Sequence, residues 1–419
     1  MVNMIREAII LAGGLGTRLR EAVPDLPKCM APVAGRPFIA HVIDALRMQG
    51  IEHIILSLGY KSEMLVHYIN EHYPTLEYSL SVEDEPLGTG GAIQLALSKA
   101  GARDVVVANG DTLFKIDARS LSAIHLEKGA ECTLALKPMT DFERYGVVEM
   151  GNDNVVSAFR EKQRYEEGLI NGGVYVLNRQ AFLARALPPK FSFEKDYLED
   201  FYREGKFYGS VQEGYFIDIG VPEDFHKAQG DLRRPELRLS AIDPAWTLFL
   251  DRDGVINKEL PGTYVKNPRE FSFNPGVLEN FSLLAERFGK IVVVSNQRGI
   301  GKGEMSEGDL SDIHALMQTE IGHAGGRIDA VFHCPGIEPK TFCRKPNPGM
   351  AVEARDKFPD IDFARSIIVG NKRSDLQFGR AAGMFTVFVT TTNEASSLQP
   401  GEADEVFPSL AHFAQALQP

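Results

Sequence analysis

The stretch LAGGLGTRLR (11–20) closes a short apolar run at 8–12 and decides how the first half of the chain is read. An apolar run of that length ending in glycines is a buried strand entering a turn. Leu11 ends the strand, and Gly13, Gly14 and Gly16 leave the backbone bare, so its N–H groups can approach a phosphate closely. Thr17, Arg18 and Arg20 add a hydroxyl and positive charge, and Lys28 follows in PKCMAPVAGRPF (27–38). A strand leading into a glycine-rich turn with basic residues is a common phosphate cradle, although glycines alone also make tight turns with no ligand. Two other templates fail. No Gly-Lys-Ser/Thr ending follows, as a P-loop requires, and Leu19 stands where a dinucleotide fingerprint wants its third glycine.

Working outward, strand and helix patterns alternate. HIILSL (53–58) is a β-branched run, SEMLVHYINEHY (62–73) has apolar residues at helical spacing, and DVVVANGD (104–111) is a second buried strand ending in a turn. Such alternation implies an α/β fold, a parallel sheet covered by helices, with ligands gathered at the carboxyl ends of the strands. Residues 13–18 and Asp111 both lie at such ends. An Asp in that setting is a turn residue or cap, or it pairs with Asp218, which follows the apolar YFI (215–217), to hold Mg²⁺ beside a triphosphate. PEDFHKAQGDLRR (222–234) reads as a closing helix, and the proline-bearing stretch after it places a linker at 234–245.

The second half starts afresh. WTLFLDRDGVIN (246–257) is a buried strand ending in Asp251-x-Asp253, and KIVVVSNQRGIGKG (290–303) is another ending at Ser295. FCRKPNPGM (342–350) carries Arg344 and Lys345, and SIIVGNKRSDLQFGRAAG (366–383) is a strand followed by Asn371 and Asp375. Each piece alone reads equally well as a cap, a turn or a solvated charge pair.

Length and composition bound the partners. At 419 residues two or three domains are expected. A net charge of −12 argues against nucleic acid and anionic membrane surfaces. It does not exclude phosphorylated small molecules, which local basic loops can bind. No run of 18 apolar residues exists, so no membrane span is expected. Four scattered cysteines suit a reducing cytoplasm.

LAGGLGTRL with Pro27-Lys28, EDEPLGTGGA (83–92), NGD (109–111), REK (160–162), NGGVYVL (171–177) and FIDIGVPEDF (216–225) together resemble the sugar-1-phosphate nucleotidyltransferases, in the family's order. The resemblance implies a Rossmann-like domain at 1–233, with Gly88 and Thr89 against the nucleobase and Glu161 and Lys162 on the sugar and its phosphate. It further places Asn171 and Gly172 around the sugar, Arg18 on the triphosphate, Lys28 on the reacting phosphates, and Asp111 and Asp218 on Mg²⁺. The four pieces of the second half resemble the haloacid dehalogenase phosphatases, narrowed by DRDGVIN, SNQRGIGKG and CRKPNPGM to the histidinol-phosphate and heptose-bisphosphate branch. That implies a second Rossmann-like domain at 246–419 with a minimal cap. Asp251 would be the nucleophile, Asp253 the acid and base, and Ser295 and Lys345 the stabilisers of the phosphoryl group. Asn296, Gln297 and Arg344 would contact substrate, and Asp251, Asp253, Asn371 and Asp375 would line the Mg²⁺ site.

Two departures stand out. Heptose-phosphatase relatives carry a zinc loop before the Lys motif, but here only Cys334 and Cys343 fit its outer positions, so no zinc is expected. Asn371 stands where relatives have a metal-binding Asp, which predicts a phosphatase that needs raised Mg²⁺. EDEPLGTGGAI, FSFEKD (191–196) and DIGVPEDF carry a narrower match to the heptose 1-phosphate guanylyltransferases. The two activities are consecutive. Dephosphorylation of D-glycero-D-manno-heptose 1,7-bisphosphate at C7 leaves the 1-phosphate that accepts GMP from GTP. A hexose-1-phosphate transferase fused to a phosphatase for another substrate such as histidinol phosphate, and a sensor with one silent half, remain as alternatives. Partners are therefore expected to be small molecules, with homo-oligomerisation left open.

Overall fold

A computed structural model describes residues 5–13, 23, 26–59, 62–399 and 401–418. Gly14, Gly16, Thr17, Arg18 and Arg20 lie outside the described residues. Chain contacts divide the molecule into two compact units, Met1–Arg234 and Pro235–Pro419.

The first unit is built on a seven-stranded sheet. In chain order its strands are β1 (Glu7–Leu11), β2 (His53–Leu58), β3 (Glu77–Val82), β4 (Asp104–Asn109), β6 (Cys132–Phe142), β7 (Tyr165–Asn178) and β8 (Phe207–Val211). β5 (Thr112–Phe114) and β9 (Phe216–Asp218) form a separate two-stranded ribbon. The sheet order is β8-β6-β7-β4-β1-β2-β3. β4, β1, β2 and β3 run parallel, while β7 is antiparallel to both of its neighbours. β1, β2 and β4 read as near-continuous Ile, Leu and Val because helices cover both faces. Ile10 and Ile54 point into one apolar cluster with Phe38 and Ile43 of α1 (Phe38–Met48). Ile9 and Ile55 point into the other with Ile93 and Ala96 of α2 (Gly88–Leu97).

The second unit is a six-stranded, wholly parallel sheet. Its strands are β10 (Thr247–Leu250), β11 (Lys290–Asn296), β12 (Ala330–Cys334), β13 (Ser366–Gly370), β14 (Phe385–Val389) and β15 (Glu405–Phe407), in the order β12-β11-β10-β13-β14-β15. The order reverses between β11 and β13 on either side of β10, which makes the end of β10 the switch point where α/β sheets bind ligands. Asp251 follows β10 directly. Between β11 and Lys345 the chain contributes α3 (Glu307–His323), opened by a capping box in which Ser306 and Asp309 exchange side-chain-to-backbone bonds. No further sheet or large insertion lies there among the described residues, so the site keeps only loops around it. Both units are Rossmann-like α/β layers, as the sequence pattern implies.

Candidate active sites

In the first unit the pairing of β5 with β9 sets Asp218 opposite Thr112, and Ile219 N–H donates to the Asp111 carbonyl at 3.1 Å. That ribbon brings two carboxylates 107 residues apart in sequence to one place. Lys28, in the 3₁₀ turn Lys28–Met30, puts its ammonium on Asp111 and 3.5 Å from Asp218 Oδ1. Asp218 Oδ1 also accepts the Gly220 N–H at 2.8 Å. A Cβ at Gly220 would lie 2.8 Å from the Lys28 ammonium, so a larger residue there would displace the lysine.

A cleft of about 660 Å³ opens beside this trio, within the usual range for nucleotide-sized ligands. Leu11, Gly13, Lys28, Gly88, Thr89 and Asp111 line it. Gly110 closes against the Leu11 carbonyl, where a Cβ would sit 2.8 Å away. Gly88 has φ +75° and faces the Phe191 carbonyl, a position strained for any other residue. Thr89 accepts the Phe193 N–H at 2.9 Å and donates to Glu194 at 2.8 Å. Its hydroxyl therefore pins the FSFEKD segment and leaves its backbone for a ligand.

The residues expected on the sugar are placed differently. Glu161 and Lys162 are exposed and are not among the lining residues of the cleft. Asn171 donates to the Tyr175 hydroxyl at 2.8 Å and accepts the Gly173 N–H at 3.0 Å, so both ends of its amide hold the register shift within β7. Gly172 makes room for the Phe114 ring. Sequence reasoning missed Glu83, which lines the cleft and caps the turn by accepting the Leu87 N–H at 2.9 Å, and Asn109.

In the second unit Lys345 is the centre. Its ammonium is buried and donates to Asp251 Oδ1 at 2.8 Å and to the Val294 carbonyl at 2.8 Å, and it lies 2.7 Å from Asp375 Oδ1. Burial pushes the Asp251 carboxyl up, and Asp375 adds to this, so that it titrates at about 6 although Lys345 pulls it down. Burial disfavours the Lys345 ammonium, but its two carboxylates outweigh that and hold it charged.

Asp253 is arranged differently. Burial would raise its carboxyl, yet the Arg252 guanidinium and hydrogen bonds from Asn257, Arg252 and Gln297 keep it below the ordinary range. Arg252 is fully buried, with Asp253 Oδ1 2.9 Å from Nη2. Its Nη1 faces His314 Nε2 at 3.3 Å, and burial with the nearby Arg252 charge pushes that imidazole down to about 3, leaving it neutral.

Several residues that the sequence places on substrate or metal have protein partners here. Gln297 is fully buried and donates to Asp253 Oδ2 at 2.9 Å and Ser295 Oγ at 2.7 Å, so it braces the site instead of facing substrate. Asn296 clasps the Lys345 backbone from both ends, at 3.0 and 3.1 Å. The Asp253 carboxylate accepts hydrogen bonds on both oxygens, from Arg252, Asn257 and Gln297. Arg344 donates to the carbonyls of Gly336 and Ile337. Cys334 and Cys343 are joined as a disulfide, so neither thiolate is available to zinc.

No three His, Cys, Asp or Glu side chains converge as a ready-made metal cage among the described residues. The donor sets nevertheless fit Mg²⁺, which takes a few carboxylates and completes its shell with phosphate and water. In the first unit the Lys28 ammonium already sits as a cation between Asp111 and Asp218. In the second, the fully buried Asn371 Oδ1 has no hydrogen-bond partner, an oxygen that a cation would satisfy. No helix among the described residues is long and apolar enough to cross a membrane.

Comparison with known proteins adds the following. The sequence profile of the family described as nucleotidyl transferase matches residues 7–234, and that described as HAD-hydrolase-like matches residues 342–413. The D-glycero-alpha-D-manno-heptose 1-phosphate guanylyltransferase of Aneurinibacillus thermoaerophilus is 50% identical over 227 residues, covering 54% of this chain and 98% of its own. The crystal structure of HddC from Yersinia pseudotuberculosis complexed with GMP-PN matches with 36% identity and a TM-score of 0.50, over 55% of this chain and 100% of that one. A D,D-heptose 1,7-bisphosphate phosphatase from B. bronchiseptica, crystallised with magnesium and phosphate, is 33% identical over 41% of this chain and 97% of its own, with a TM-score of 0.38.

Proposed function

We propose, from the premise that this chain belongs to the nucleotidyl transferase family and carries a HAD-like hydrolase as its second unit, that it makes GDP-D-glycero-α-D-manno-heptose in two consecutive steps. The second unit removes the 7-phosphate of D-glycero-D-manno-heptose 1,7-bisphosphate. The first unit then transfers GMP from GTP to the resulting 1-phosphate and releases pyrophosphate. The observation that carries the reading is the pairing of two sites in one chain, a nucleotide cleft with Lys28 between two carboxylates and a buried Asp251–Lys345–Asp375 centre.

In the first unit an oxygen of the sugar 1-phosphate attacks the α-phosphorus of GTP, and no covalent link to the protein forms. Catalysis is alignment plus charge neutralisation. Gly88 gives the base a bare backbone to lie on, and Arg18 and Lys28 take the phosphate charge. Lys28 reaches the phosphates by leaving its ion pairs with Asp111 and Asp218. Those two carboxylates would hold Mg²⁺, which would supply charge neutralisation to the triphosphate.

In the second unit Asp251 attacks the phosphorus and becomes an aspartyl-phosphate, and water then hydrolyses it. Lys345 and Ser295 stabilise the transferring phosphoryl group. Asp253 passes a proton to the leaving sugar oxygen and takes one from the attacking water. In the resting site Asp253 is a carboxylate, and the charge of an arriving phosphate raises its affinity for that proton. Asp251 and Asn371 would hold Mg²⁺, which would supply the positive charge that lets an anionic nucleophile meet an anionic substrate. Both families use Mg²⁺, and a zinc site is not part of this reading.

The test is to incubate the chain with Mg²⁺, each nucleoside triphosphate and a panel of sugar 1-phosphates, and to follow pyrophosphate. GTP with heptose 1-phosphate should be the preferred pair. A stronger rate with a hexose 1-phosphate or another triphosphate would overturn the substrate assignment.

A further inference from the structure

Asn371 follows β13, and the two ends of its amide are treated differently. Nδ2 donates to Glu259 Oε2 at 3.1 Å and to the Thr392 hydroxyl, while Oδ1 accepts nothing. The partners fix which end is which, because turning the amide over would set its oxygen against the Glu259 carboxylate. The arrangement is tight. Gly254 has φ +88°, and a Cβ there would collide with the Asn371 amide and come within 3.2 Å of Glu259 Oε2. Asn371 and Glu259 therefore lie against the backbone of the loop that carries Asp251 and Asp253. The second oxygen of Glu259 accepts from the Lys372 ammonium at 2.6 Å. A partly buried carboxylate thus stands one hydrogen bond behind the only neutral member of an otherwise anionic donor set.

We propose that Glu259 is a positioning residue of the phosphatase site: it holds the Asn371 amide so that Oδ1 is the oxygen offered to Mg²⁺. The inference rests on the phosphatase reading of the second unit. It changes what the sequence alone predicts for Asn371→Asp. That substitution sets a second carboxylate against Glu259 Oε2, and like charges in contact oppose the gain at the metal. Exchanging the two groups, Glu259→Gln with Asn371→Asp, keeps one charge and one N–H···O contact with the roles reversed.

The experiment measures Mn²⁺ binding by the electron paramagnetic resonance of the free ion. It uses the full chain carrying Asp111→Asn, so that the second unit's site dominates, with Asp111→Asn/Asp251→Asn as the blank. Glu259→Gln should raise the dissociation constant at least roughly tenfold, about 1.4 kcal/mol. Asn371→Asp alone should give no gain, and the exchanged pair should return to within about threefold of the parent. Lys372→Met removes the other partner of Glu259 and should not weaken binding. Should Glu259→Gln stay within about twofold of the parent, or the exchanged pair bind no better than Glu259→Gln, the proposal is overturned on its own. A parent that binds no more Mn²⁺ than the blank overturns both the proposal and the metal-dependent phosphatase reading beneath it.

Discussion

Replacing Lys345 by Met takes the cation out from between Asp251 and Asp375 and leaves two buried carboxylates facing each other. Removing one partner of a buried ion pair costs about 3–5 kcal/mol, because the remaining charge is neither solvated nor paired. Here the penalty has a ceiling, since a carboxylate can take a proton instead. Protonating one aspartate with an ordinary pKa of about 3.9 at pH 7 costs about 1.4 kcal/mol for each of roughly three pH units, or about 4 kcal/mol. One shared proton relieves the repulsion of the pair, so a loss of about 3–4 kcal/mol is expected at pH 7. The sign with pH follows. In the variant the folded-state pKa of the carboxyl lies above its unfolded value, so the folded form binds a proton that the unfolded chain does not. The wild-type Asp251 carboxyl is itself raised to about 6, so the gap narrows by about 1.4 kcal/mol per unit only between the variant's raised pKa and that value, and is level below it, where both folded forms hold the proton. Trp246 is the single tryptophan, belongs to the second unit, and has its ring 5.6 Å from that of Phe385. Urea unfolding followed by its fluorescence at pH 7, 6 and 5 therefore reads this unit alone. A gap between wild type and variant below about 1 kcal/mol at pH 7, or one that widens on acidification, would refute the assignment of Lys345 as the neutralising cation.

Four further outcomes follow from the two sites. Asp111→Asn should abolish nucleotidyl transfer and spare phosphate release, and Asp251→Asn should do the reverse; loss of both activities from either folded variant rules out two independent sites. Gly88→Ala forces a side chain onto φ +75° and into the Phe191 carbonyl, so the KM for GTP should rise roughly tenfold or more, whereas an unchanged KM would place the base elsewhere. Burial raises the Asp251 carboxyl and a bound Mg²⁺ would lower it, so the acid limb of kcat/KM for phosphate release should move to lower pH as Mg²⁺ is raised; an acid limb that stays fixed across Mg²⁺ concentrations would contradict Asp251 as a metal-bound nucleophile. With Cys334 and Cys343 joined, elemental analysis of the purified chain should find well under one zinc per chain, and a stoichiometric content would show the loop misread.

The parts legible in the sequence were those fixed by strand ends. Asp111 and Asp251 each follow a buried apolar strand of their own unit, at the carboxyl end where α/β sheets gather ligands, whereas Asp218 reaches Asp111 through the antiparallel ribbon of β5 and β9. Adjacency in sequence was a poorer guide to direction. Asn296 and Gln297 sit beside Ser295 but turn inward, one to the Lys345 backbone and one to Asp253, since buried polar groups at a strand end must find partners. The family resemblance places Asn171 around the sugar, while its amide is taken up by the irregularity of its own strand. Glu259 was invisible because the residue that gives it meaning lies 112 positions away. Cys334 and Cys343 fit the outer positions of a zinc-loop pattern, and their separation of 9 residues suits a disulfide equally, so the pattern alone does not distinguish the two.

The most direct test of the account is phosphorus NMR of heptose 1,7-bisphosphate incubated with the chain, Mg²⁺ and GTP in one vessel. The account predicts that the C7 phosphate signal disappears first while the anomeric signal persists. A sugar-linked diphosphate and free pyrophosphate should then grow in together. Early loss of the anomeric signal, or accumulation of heptose 1-phosphate with GTP untouched, would contradict it.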